Sequence, residues 1–326
     1  MDQIYNSLTN IIKKYDRFIL MTHKNPDFDG MGSCIAMCDT INNFKKECYI
    51  VVDDKNLDIS LKKAFNILDQ NNLNIKRISK LKSLKLLDDK TVVIIFDTHK
   101  EDIIEEKKLL DNSNIVLIDH HIKSSNYIKG NLFEYINSNL SSTVEFVCNY
   151  LRYLNRTINP IISTFLLIGL EIDTNNFKLK TTDKTYETAA FLTKTGIDNL
   201  LKQELLQESM DSYIKKSKLI EKSYMHNENT AICLTDNKIY RQQDLASIAE
   251  NLLQFENVTS SYVIGKISNK IVGISARSIG NVNVEEVMRK LGGGGHLNEA
   301  ATQINNKTIE QVLKELESVI EWKLFL

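Results

Sequence analysis

The sequence predicts a two-domain α/β protein: a mostly parallel sheet with crossover helices, then a helical linker and a smaller α/β domain. Three observations predict this. The chain is 326 residues long, more than one ordinary domain needs. Its first half alternates short apolar runs with helical patterns, and several of these runs stop at an Asp or a His. Beyond about residue 225 the pattern changes to short strands, a hairpin and a run of glycines. The implied division is 1–200, a linker over 201–225, and 226–326.

In order, residues 1–14 carry Ile4, Leu8, Ile11 and Ile12 at helical spacing. Residues 17–22 form a first strand, which runs through the polar turn of residues 21–33 (MTHKNPDFDGMGS) into a helix over 32–44. Residues 48–52 are a second buried strand. Residues 91–96 (TVVIIF) are a third, ending at Asp97-Thr98-His99. Residues 114–118 (NIVLI) are a fourth, ending at Asp119-His120-His121. In a parallel sheet, strand C-terminal ends share one edge, so these loops converge. A capped helix opens at Ser141-Ser142-Thr143, and an apolar helix over 160–170 leads into Asp173. Residues 183–223 read as helical and increasingly charged.

In the last third, 230–234 is a short strand and 243–253 a helix. Residues 260–267 and 270–275 form a hairpin around Ser268-Asn269. Residues 284–291 are a helix before Gly292-Gly293-Gly294-Gly295-His296, and 309–322 is the last helix.

Composition narrows the function. A net charge of −1 gives no basic field for long nucleic acid. Five cysteines without a CxxC pair or a secretory leader indicate a reducing, cytoplasmic setting and no thiolate zinc site. No apolar run is long enough to span a bilayer.

Of the six histidines, only His226 sits apart from an Asp or Gly cluster at an element end. Turn propensity explains repeated Asp but not repeated His. His23, Asp27, Asp29, Asp97, His120 and Asp173 are hard oxygen or imidazole donors, suited to manganese or magnesium, with cobalt a substitute. They are too many for one ion with an open position. They fit two ions sharing a bridging Asp and a bridging hydroxide, although a single-metal site stays open. Side chains two apart along a strand share a face, so Asp119, His120 and His121 cannot all face one metal alike. Asp119 and His121 therefore take orienting or substrate-contacting roles. His99 reads equally as a loop residue or a substrate contact. The glycine run, with His296 and Arg277, offers unshielded backbone N–H groups to an anion.

The order His23-x-x-x-Asp27-x-Asp29, Asp97, Asp119-His120-His121, Asp173 and Gly-Gly-Gly-His resembles the DHH–DHHA1 phosphoesterases over essentially the whole chain. Residues 49–68, the DTHK at 97–100 and residues 272–303 look most like the catalytic part of GdpP-type cyclic di-AMP phosphodiesterases. The resemblance implies one manganese on His23, Asp27 and Asp97, and a second on Asp29, Asp97, His120 and Asp173. It implies substrate binding by Arg277, Gly293, Gly294, Gly295 and His296, with Ser275 and Asn283 assisting, in a cleft between the domains, and a homodimer. Gly30 stands where a small side chain is commoner, a departure not expected to affect metal binding.

Membrane-bound members of that group carry transmembrane, sensory and cyclase-like parts before this region. The opening Met-Asp and N-terminal helix favour a stand-alone soluble member over an excised portion. The expected activity is hydrolysis of cyclic di-AMP to linear 5′-phosphorylated diadenylate, and onward to AMP. The alternatives are an oligoribonuclease or 3′-phosphoadenosine 5′-phosphate phosphatase, and a catalytically dead nucleotide sensor.

Overall fold

The computed structural model describes residues 1–323 apart from Asn56, Asn112, Ser113, Ser124, Ser125 and His296. His296, an expected substrate-binding residue, thus lies outside the described residues. The chain divides into two compact units, Met1–Gln207 and Glu208–Leu326.

The first unit runs α1 (Asp2–Lys14), β1 (Arg17–Met21), α2 (Phe28–Asn43), β2 (Glu47–Val51), α3 (Ile59–Gln70), β3 (Arg77–Ile78) and α4 (Lys80–Leu84). It continues with β4 (Thr91–Phe96), β5 (Ile115–Asp119), β6 (Phe133–Ile136), α5 (Thr143–Tyr153), α6 (Pro160–Asp173), α7 (Asp183–Lys194) and α8 (Asn199–Leu206). Its strands form one all-parallel sheet in the order β3-β2-β1-β4-β5-β6. Both faces are buried, so the central strands read as continuous apolar runs. Phe18 and Leu20 of β1, with Val92, Ile94 and Phe96 of β4, point into a core shared with α1, α2, α5 and α6. Ile19, Met21, Val93 and Ile95 point into a second core on the opposite face.

The second unit runs α9 (Met210–Ile220), β7 (Tyr224–Asn227), β8 (Thr230–Ile239), α10 (Gln242–Leu252), β9 (Ser260–Lys266), β10 (Ile271–Ser278), α11 (Val284–Lys290), β11 (Gly294–Gly295), β12 (Glu299–Asn305) and α12 (Ile309–Lys323). Its sheet is mixed, β11-β12-β10-β9-β8-β7, with β8 and β9 parallel and the other pairs antiparallel. The expected hairpin is β9–β10, pairing Lys266 with Val272.

Three features differ from the sequence reading. The helix expected from residue 32 starts at Phe28, because the Asp27 side chain caps it by accepting from Asp29 N and Gly30 N. The helical stretch 183–223 is three helices. The first ends before Gly196 at φ +85°, the second at Gln207 in extended backbone, and Ser209 caps the third. Strands β3, β6, β7, β11 and β12 were not anticipated. Most of them are short pieces at or near sheet edges, with too little apolar patterning to read. No helix of the described residues is long and apolar enough to cross a membrane.

Candidate metal centre

The strand order reverses between β1 and β4, the position where open parallel sheets bind ligands. His23 follows β1 after Thr22, and Asp97 directly follows β4. Asp119 ends β5, and His120 is next. The start of α2 adds Asp27 and Asp29, and the last residue of α6 adds Asp173.

These side chains form two overlapping donor sets: His23, Asp27 and Asp97; and Asp29, Asp97, His120 and Asp173. The donor atoms within each set lie within 4.8 Å of one another. Asp97 belongs to both and divides its oxygens between them. Its Oδ2 is 3.3 Å from His23 Nε2, and its Oδ1 is 3.2 Å from His120 Nε2. His120 Nε2 is also 3.0 Å from Asp173 Oδ2 and 3.7 Å from Asp29 Oδ2. Yet this buried nitrogen makes no hydrogen bond of good geometry with any of them. A nitrogen aimed among carboxylates rather than at one of them suits a cation there. Four carboxylates, with Asp29 and Asp97 almost fully buried, would otherwise repel in a low-dielectric site. The donor set is carboxylate and imidazole without thiolate, which fits hard divalent ions.

Each donor is fixed by backbone. Asp97 has φ +61°, a left-handed conformation that is uncommon for a residue with a side chain and here stores local strain at the centre of the site. Asp27 Oδ1 caps α2 by accepting from the amides of Asp29 at 2.9 Å and Gly30 at 3.1 Å. That leaves Oδ2 on the His23 side, 4.0 Å from Nε2. Asp29 accepts at 2.8 Å from both Thr143 N and Val144 N, so its carboxylate sits on the positive N-terminus of α5. His23 Nδ1 is 2.9 Å from Lys24 O. A carbonyl only accepts, so Nδ1 carries the proton and the Nε2 lone pair is left for a cation.

The electrostatics agree. Burial would pull the His23 pKa down, but the Asp97 hydrogen bond and the Asp27 and Asp97 charges win and push it up to about 10. His120 is likewise driven up, against its burial, by Asp173 and Asp97. Burial and then the Asp97 charge push Asp27 up to about 6. Burial, then the Asp173 and Asp97 charges, raise Asp29 well above its ordinary value against the opposing charge of His120. Burial opposes the anion of Asp97 as well, but His120 and His23 outweigh it and hold this carboxyl well below its ordinary value. Without a metal, protons on the His23 and His120 imidazoles supply positive charge among the carboxylates.

Asp119 joins neither set. It is buried between His99 Nδ1 and His121, whose Nδ1 is 2.7 Å from Asp119 Oδ1. These hydrogen bonds outweigh burial and hold its carboxyl below the usual range. His121 also groups with Asp97 and His120.

In the second unit, Arg277 is held by Glu250 through Nε, at 3.1 Å, and by Ala276 O through Nη1. Ser275 is buried against Gln242, and Asn283 caps α11 by accepting from Glu286 N. Gly292 has φ +80°, and its amide donates to Arg289 O while the Gly293 amide donates to Met288 O. This pair of bonds ends α11 in a Schellman motif, so the Gly293 amide is committed to the helix. Gly294 and Gly295 pair with Ala301 and Ala300.

Sequence reasoning missed the supports. The Thr143 hydroxyl donates to Asp97 Oδ1 at 3.3 Å. A Cβ on Gly30 would meet Thr22 Oγ1 at 2.2 Å and Asp97 Oδ2 at 3.2 Å, so a side chain here would require Thr22 to move. A Cβ on Gly169 would meet Phe28 O at 2.6 Å and Asp29 N at 2.8 Å, so this glycine lets α6 approach the start of α2. The only available signal was Gly169 lying one turn before Asp173.

Residues 17–170 match the DHH family, N-terminal domain, and residues 228–321 match the DHHA1 domain. The chain is 34% identical over 322 residues to the cyclic-di-AMP phosphodiesterase GdpP of Geobacillus thermodenitrificans, covering 97% of this chain and 49% of that protein. It is 32% identical over 327 residues to the cyclic-di-AMP phosphodiesterase PdeA of Listeria monocytogenes, covering 98% and 50%. The chain thus spans about half the length of these curated relatives. An exopolyphosphatase-related protein from Bacteroides fragilis has the same fold, with a TM-score of 0.84 at 18% identity over 98% of this chain and 96% of that one. With both domain matches in sequence order and the donor residues brought together, the chain belongs to the DHH–DHHA1 family.

Proposed function

We propose that the chain is a phosphodiesterase that uses two divalent cations, manganese foremost, to open cyclic di-AMP to linear 5′-phosphorylated diadenylate. The observation that carries this reading is the split carboxylate of Asp97, one oxygen facing each donor set. The names of the relatives that match across nearly the whole chain support the substrate. When bound, two close divalent cations supply an activated water and neutralise charge growing on the phosphoryl oxygens.

The chain's own residues hold and orient. His23, Asp27 and Asp97 would hold one ion, and Asp29, Asp97, His120 and Asp173 the other. Asp119, fixed by His99, holds the His121 imidazole by its Nδ1 and so orients it toward the phosphate. Arg277 is immobilised through Nε and Nη1, while its Nη2 has no protein partner among the described residues, an arrangement suited to an anion. Gly294 and Gly295 form a side-chain-free edge strand on the far side of β12 from the strand of Arg277.

The test is a product assay in manganese with cyclic di-AMP, linear diadenylate and 3′-phosphoadenosine 5′-phosphate side by side. Fastest turnover of cyclic di-AMP with linear diadenylate as first product supports the proposal. Turnover confined to the other two substrates replaces it with an oligoribonuclease or phosphatase. Tight binding of cyclic di-AMP with no product indicates a sensor.

A further inference from the structure

A cavity of 520 Å³, well within the range of small-ligand sites, opens in the first unit between two segments that hang from the metal donors. One wall is residues 138–140. It follows β6 and Asn137, whose amide donates to Asp119 O at 3.0 Å. It leads to the α5 N-terminus that holds Asp29. The other wall is residues 177–182, which follow Asp173. It is tied to the end of α6 by Thr174, whose hydroxyl accepts from Phe177 N at 3.1 Å and donates to Leu170 O at 2.7 Å. The turn between is unusual: Asn175, Asn176, Phe177 and Lys180 all have positive φ, at 46°, 55°, 61° and 48°. Phe177 is the outlier among them, because a bulky side chain disfavours this region.

This backbone serves the cavity. It lays the Phe177 ring against Tyr186, centroids 5.6 Å apart and planes at 17°. Phe177 also packs on the core, whereas Tyr186 is 58% exposed, so one face of the tyrosine is covered and the other is open. The same turn sends Lys178 and Lys180 to the rim, where neither has an ion-pair partner among the described residues. Asn139 adds a neutral amide opposite. Two unpaired cations and an open aromatic face, a few residues from a cluster of carboxylates, make a site for an anion with a flat apolar group.

We propose that this cavity is the subsite for the half of a dinucleotide that is not being cleaved, its phosphate on Lys178 and Lys180 and its base stacked on Tyr186. The inference rests on the two-cation phosphodiesterase reading and adds its substrate specificity. A dinucleotide brings a second phosphate; the two lysines supply positive charge for it, and stacking tolerates a base without reading its edges.

The test compares wild type with Lys178→Ala/Lys180→Ala, Tyr186→Ala and Tyr186→Phe, with Lys184→Ala on α7 as a surface-charge control. The first measurement is equilibrium binding of cyclic di-AMP to each protein with EDTA present, which does not depend on turnover. The double lysine variant and Tyr186→Ala are each expected to weaken binding by about tenfold, and Tyr186→Phe by less than about twofold. The second measurement, in manganese, is KM and kcat for cyclic di-AMP and for bis(p-nitrophenyl) phosphate, a diester with no second phosphate. The loss in kcat/KM is expected to lie mainly in KM and to be about tenfold larger for cyclic di-AMP than for the small diester. Equal losses on both substrates, unchanged binding in the variants, or no binding by wild type overturns the subsite. If wild type cleaves neither diester, the phosphodiesterase reading fails, and the binding data still decide the subsite.

Discussion

The two units solve opposite problems. In the first, the candidate metal centre gathers charged side chains in a buried place and locks each with backbone. Asp29 sits on two amides of α5, Asp27 caps α2, and Gly169 brings α6 close to α2. In the second, the glycine run removes side chains from an edge. Gly294 is so open that an added Cβ would have nothing within 4 Å. A site that does chemistry on a phosphate has to fix donors against their mutual repulsion. A site that only recognises a phosphate, the role proposed for the second unit, has to let it approach backbone. The first kind should break under small changes, and the second should lose affinity while keeping its fold.

The largest expected effect is from Asp97→Asn. Asparagine tolerates the left-handed backbone at φ +61°, so folding is retained, but the carboxylate common to both donor sets is lost. Metal content should fall toward zero, and activity should drop by more than the about 10- to 100-fold that partners of metal ligands typically cost. Metal analysis of the purified variant checks this, and two equivalents with full activity would remove Asp97 from the centre. Next, Asp27→Asn and Asp27→Ala separate two roles of one side chain. Both should lose the His23-side ion. Asparagine keeps the α2 cap, while alanine should cost a further ~1 kcal/mol in urea unfolding. Equal stability for the two would show that the cap contributes nothing.

Gly169→Ala adds one uncharged methyl group where α6 meets the start of α2. The added Cβ would meet backbone at Phe28 O and Asp29 N, not the end of a flexible side chain, so α2 and α6 must move apart. About 1–3 kcal/mol of destabilisation is expected. Metal affinity should fall as well, because Asp29 and Asp173 ride on the two helices. Normal affinity in a destabilised variant would confine the role of Gly169 to packing.

How much of this was legible follows from where the information lies. His23, Asp97, Asp119 and His120 could be read because each closes an apolar run, and parallel strand order gathers such ends at one edge. Asp173 could be read as the polar end of a buried helix. The start of α2 could not: Asp27-Phe28-Asp29-Gly30 has turn composition, and only the Asp27 cap with close packing of Gly30 on Thr22 makes it helical. The α5 anchor on Asp29 joins residues 114 positions apart, a pairing that no local pattern carries. The Schellman ending of α11 was hidden for the opposite reason. Four identical glycines do not show which amides the helix uses.

Metal binding should release protons, and the sign follows from the shifts. An ordinary histidine titrates near 6.5. With His23 pushed up to about 10, the metal-free protein holds a proton there at neutral pH that a cation must displace. Apparent metal affinity should therefore climb as pH rises toward 10. It should drop further below about pH 6, where Asp27 also takes up a proton. The stability that metal-free protein draws from His23 is complete below the unfolded value and lost as pH rises through 10. Calorimetry in two buffers of different ionisation enthalpy measures the protons released, and a buffer-independent heat at pH 7.5 would contradict this account.

The smallest expected structural effect is at Gly294. A Cβ on Gly293 would lie 2.2 Å from Ala301 O, so that glycine is held by sterics, and its amide already ends α11. Gly294 has neither constraint and no positive φ. Gly294→Ala should leave stability unchanged or raise it by about 0.4–1 kcal/mol through the unfolded chain. If the bare edge exists so that a nucleotide phosphate can approach backbone, the same methyl group should weaken cyclic di-AMP binding while metal content stays constant. A binding isotherm beside a urea melt separates the two effects. Unchanged affinity in a variant of equal stability would mean that this glycine serves the chain's path and not its ligand.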